Sequence, residues 1–214
     1  MGIEATLKSV SVELVDHLLG QADVAQIFAL RESHDLTIQP LFRDGVPTEL
    51  KARLAELSSD SMGRQLLRDL RDEQPQRYLE IAPALPLIES AWLEPALDLY
   101  KCWGILQYIL AAGSRTHESP LAKAIEGGRE LAPGLDDPPM TYLDGDEVPA
   151  VSLALDAFDF TAAELETRGH AATDVYHWGQ PPRDHTHIEP FFRALVEYYR
   201  EAASADRAML RWMS

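Results

Sequence analysis

The stretch Leu97-Asp-Leu-Tyr-Lys-Cys-Trp-Gly-Ile-Leu-Gln-Tyr-Ile-Leu-Ala-Ala-Gly113 carries the clearest folding signal of the chain. Within it, apolar side chains recur at spacings of three and four residues, the pattern of a helix with one broad buried face. The residues of that pattern are Leu99, Cys102, Trp103, Leu106, Ile109 and Leu110. Gly113 suits the left-handed conformation with which many helices end. The pattern therefore predicts a central helix over about 94–112.

The two ends of the chain have the features of strands. Residues 2–10 alternate between apolar and polar side chains, which is typical of a strand with one buried and one solvent-exposed face. Ser11 is a favoured N-cap residue and predicts a helix over 12–19. Residues 141–143 and 208–213 are predicted as further strands, the last of them paired with the first. We therefore predict an α+β fold: a helix-rich single domain with a small, mostly antiparallel sheet that holds both terminal strands.

The composition limits the classes of partner. The 214 residues include 35 acidic and 19 basic side chains, which gives a formal net charge of -16. This charge repels nucleic acid and anionic membranes and attracts basic proteins. The alternative is that the charge only keeps the protein soluble. Cys102 is the only cysteine, so no intramolecular disulfide is expected. No signal peptide and no apolar run of membrane-spanning length is visible, and we expect a cytoplasmic protein.

Several separated segments resemble the YfbM-like family, a group of bacterial domains whose function is not established. The segments are Met1-Gly2-Ile3, 7–11, 101–110, Gly127-Gly128, 142–143 with 147–148, 174–176 and 192–199. The resemblance covers about 1–25 and 90–214, and it implies one domain over 1–214 with a helical insertion at about 30–85. Relatives often carry histidines beside and after the central tryptophan, where this chain has Gly104 and Gln107.

A histidine-rich loop precedes the last helix. On an extended segment His185 and His187 would face the same way, and Glu189 would continue that face. Two imidazoles and a carboxylate are ligands that Zn²⁺ accepts, so these three residues form a candidate metal site. The same residues also suit a helix cap, because Thr186-His-Ile-Glu189 has the spacing of a capping box. Both interpretations stay open at the level of sequence.

A second candidate site is a groove formed by Tyr100, Gln107, Tyr108 and Trp178. Tyrosine and tryptophan are favoured at protein interfaces, although core packing explains such residues at helical spacing equally well. No nucleophile elbow, phosphate loop or EF-hand spacing occurs in the chain. The sequence therefore predicts no catalytic residue and no bound cofactor other than the candidate zinc.

These observations predict a non-catalytic, acidic protein-binding domain of the adaptor or immunity type. The alternative is a metal-dependent hydrolase that uses the loop from His177 to Glu189. A third interpretation is a homo-oligomer that associates through the apolar face of residues 188–199. The sequence favours a protein without enzymatic activity over an enzyme but does not decide between the two.

Overall fold

The structure of the chain is a computed structural model, and it describes residues 4–22, 24–25, 27–28, 69–111, 119–131, 140–168 and 186–213. Residue contacts divide the chain into two compact units. The first comprises Met1–Val15 with Glu94–Ser214, and the second comprises Asp16–Leu93. Most of the predicted insertion at about 30–85 lies outside the described residues.

A five-stranded antiparallel sheet forms the frame of the first unit, with strand order β2-β1-β5-β4-β3. The strands are β1 Ala5–Ser11, β2 Leu97–Tyr100, β3 Arg129–Glu130, β4 Thr141–Leu143 and β5 Arg207–Met213. Strands β1 and β5 pair along their whole length, from Ala5 opposite Met213 to Ser11 opposite Arg207. The prediction that both terminal strands share one sheet is confirmed.

Seven α-helices lie wholly within the described residues. They are α1 Val12–Gly20, α2 Pro75–Ile81, α3 Leu85–Leu93, α4 Trp103–Leu110, α5 Glu147–Asp156, α6 Phe160–Thr167 and α7 Glu189–Ser204. Short 3₁₀ turns cover Ala82–Ala84, Ala122–Ala124 and Thr186–Ile188. The predicted helix-rich α+β fold is confirmed. Among the helices described, none is long and apolar enough to cross a membrane.

The predicted central helix is shorter than expected, because its first residues form strand β2. Leu97 and Asp98 pair with β1, and the Thr6 hydroxyl donates to the Asp98 carboxylate at 2.9 Å. Tyr100 then takes a left-handed conformation with φ of 47°, which ends the strand. Leu99 fits the period of a strand as well as that of a helix, so the apolar pattern over 97–100 does not distinguish a strand from a helix.

The prediction that one face of β1 is exposed to solvent is also wrong. Thr6 is 2% exposed and Lys8 is 1% exposed, so both faces of the strand are buried. The Lys8 ammonium donates to the carbonyl of Glu94 at 3.3 Å. Alternation correctly indicated a strand, but β1 lies between β2 and β5 in the interior of the sheet. The local pattern does not contain that information.

Two helices, α1 and α6, begin where a polar side chain accepts a hydrogen bond from the first turn. The Ser11 hydroxyl accepts from the amide of Leu14 at 3.2 Å, as predicted for the start of α1. The Asp159 carboxylate accepts from the amide of Ala162 at 3.0 Å and starts α6. Helix α7 packs against both α5 and β5, and its Leu195 and Tyr199 are completely buried. This packing places Tyr199 beside the last strand and the segment that precedes β3.

Candidate functional site

Buried polar side chains converge on residues 119–131, which we call the anchored segment. Near its end Gly127 and Gly128 have φ of 108° and 87°, values that glycine adopts without strain. A Cβ atom at Gly128 would meet the Arg211 guanidinium and the carbonyl of Tyr142. Glycine is therefore required at this position for both conformation and space.

Arg211, on strand β5, binds the backbone of the anchored segment. Arg211 is 3% exposed. Nη1 donates to the carbonyl of Lys123, and Nη2 donates to the carbonyl of Gly127. Nε has no hydrogen-bond partner within the described part of the chain. Burial lowers the pKa of Arg211, against the opposing effects of Tyr199, Glu147 and Glu126.

Two further side chains complete the anchorage. The Tyr199 hydroxyl of α7 donates to the carbonyl of Ala124 at 2.8 Å, and burial raises the pKa of Tyr199 to about 12. Gln107 of α4 donates through Nε2 to the carbonyl of Ala122 at 2.9 Å. Its Oε1 accepts from the amide of Glu126 at 3.4 Å. Three elements thus bind successive carbonyls of one irregular segment, which satisfies backbone groups that would otherwise be buried without partners.

Charged side chains surround the outer side of the anchored segment. Lys123 pairs with Glu147 at 2.7 Å, while Arg129 pairs with Asp144 and lies 3.4 Å from Glu147. The Arg129 guanidinium also lies over the ring of Tyr142, 4.6 Å from its centroid. Each cation here has a carboxylate beside it, so the arrangement is a local ion-pair network.

The pKa of Glu147 reflects this network. Partial burial acts to raise it, but hydrogen bonds from Lys123 and from the Asp144 amide, with the charges of Lys123 and Arg129, lower it overall. Glu147 is therefore a stable carboxylate at neutral pH rather than a general acid. The geometry of the anchored segment suits structural support, and it presents no activated nucleophile among the described residues.

The candidate groove is placed in part. Gln107 is 6% exposed, and both ends of its amide bond the anchored segment. Tyr100 is half-buried and packs edge-on against Phe191, with ring centroids 6.4 Å apart. Tyr108 is half-buried against the hydrophobic core. Trp178 lies outside the described residues, so the groove as a set of four stays a prediction.

The structure describes only part of the candidate metal site. His187 is exposed in the turn Thr186–Ile188, and Glu189 pairs with Arg193 at 2.6 Å on α7. His185 and His177 lie outside the described residues. Within the ranges that the structure describes, no group of three or more metal-ligating side chains comes together. The zinc site therefore remains a sequence prediction.

Sequence reasoning missed the residues that anchor the segment. Arg211 lies between Leu210 and Trp212, after the apolar run Ala208 to Leu210, and that placement is a signal of a buried cation. The Gly127-Gly128 pair is visible in the sequence, but its contact to Arg211 is not. The partners of Tyr199 and Arg211 are backbone carbonyls, which no side-chain motif reveals.

These features define an α+β fold in which buried polar side chains bind backbone groups of the same chain. A family model for a domain of unknown function, DUF1877, matches residues 1–212, and the chain belongs to this family. Among solved structures the chain is similar to YfbM of Escherichia coli, described as a protein of unknown function. The identity is 14% and the TM-score is 0.49, with 99% of each chain covered. No curated protein matches the chain. The resemblance to the YfbM-like family is confirmed.

Proposed function

We propose that this protein is a non-catalytic, acidic, cytoplasmic domain that binds a basic protein partner, in the manner of an adaptor or an immunity-type inhibitor. The observation that carries the proposal is the excess of 35 acidic over 19 basic side chains. Such an excess accelerates association with a positively charged protein and favours it over other partners.

The ion pairs within the chain leave its acidic excess intact. Seven cations within the described ranges each pair with a carboxylate of the same chain. They are Arg71, Lys123, Arg129, Arg168, Arg193, Arg200 and Arg207. Every such pair removes one charge of each sign, so the excess of carboxylates over cations is unchanged. That surplus is what a basic partner would neutralise.

The polar side chains around the anchored segment support the non-catalytic part of the proposal. Arg211, Tyr199 and Gln107 bind backbone carbonyls of the anchored segment, and Lys123 and Arg129 bind carboxylates. A group that is committed to a structural contact has to break it before it can act on a substrate. Their arrangement is that of a scaffold.

The test is capture of partners from a native lysate at low and high salt, followed by reconstitution with each purified candidate. An unrelated protein of similar net charge serves as the control for simple ion exchange. We expect one basic protein to form a complex of fixed stoichiometry whose affinity falls as salt rises. Complexes that are indifferent to salt, or that the control protein forms equally well, would contradict the proposal.

A further inference from the structure

We draw no further inference here: the strongest candidate, the surface patch at the end of edge strand β2 where Tyr100 takes a left-handed backbone conformation and its half-buried ring packs edge-on against Phe191, carries nothing because nothing in the described part of the chain shows what covers it.

Discussion

Replacing Gly128 by alanine tests the structure of the anchored segment most directly. Gly128 has φ of 87°, and an L-residue in a left-handed conformation costs about 1 to 2 kcal/mol. The new Cβ would also meet the Arg211 guanidinium, so Nη2 would have to leave the carbonyl of Gly127. Loss of a hydrogen bond to a charged group costs about 1.5 to 3 kcal/mol. We expect Gly128→Ala to lower the free energy of unfolding by about 2.5 to 5 kcal/mol.

Urea denaturation at neutral pH measures this change, with Gly20→Ala as the matched control. Nothing lies within 4 Å of a Cβ at Gly20, so this variant should be neutral or more stable by up to about 1 kcal/mol. Combining Gly128→Ala with Arg211→Met relieves part of the clash, so the two effects should add to less than their sum. If Gly128→Ala were as stable as Gly20→Ala, the close packing of the anchored segment against Arg211 would be wrong.

Three further predictions follow from other described contacts and from the sequence. Tyr199→Phe leaves the buried carbonyl of Ala124 without its donor, and should cost about 1 to 3 kcal/mol in urea denaturation; an effect within error of zero would contradict the hydrogen bond. The lowered pKa of Glu147 means that its charged form stabilises the fold above about pH 4.5, and that this contribution is lost as the pH falls below that value. Glu147→Gln should therefore make the free energy of unfolding depend less on pH in the acid range. An unchanged pH dependence would contradict the ion-pair network. If the zinc prediction holds, untagged protein should contain stoichiometric zinc by elemental analysis, and His185→Ala with His187→Ala should lose the zinc while the protein stays folded by circular dichroism; metal-free wild type under zinc-replete growth would refute it.

The parts of the fold that could be predicted from the sequence depend on local signals. Alternation over 2–10 and the short run 141–143 indicated strands, and Ser11 indicated a helix start, because these features arise from neighbouring residues. Leu97–Tyr100 was assigned to the wrong element, since Leu99 satisfies both the helical and the strand period. Pairing with β1 decides between the two, and that partner lies some ninety residues earlier in the chain.

The anchored segment shows why the buried site could not be predicted in the same way. Arg211, Tyr199 and Gln107 come from three elements, and each binds a backbone carbonyl rather than another side chain. Side-chain motifs encode contacts between residue types, whereas a carbonyl belongs to every residue and leaves no mark in the sequence. The one local trace is an arginine among apolar residues in a terminal strand, which indicates a buried cation but not its partners. Only the packing of α4, α7 and β5 around the anchored segment identifies the carbonyls that these side chains bind. Net charge can be counted from the sequence and indicates a class of binding protein, whereas these buried hydrogen bonds cannot be read from the sequence.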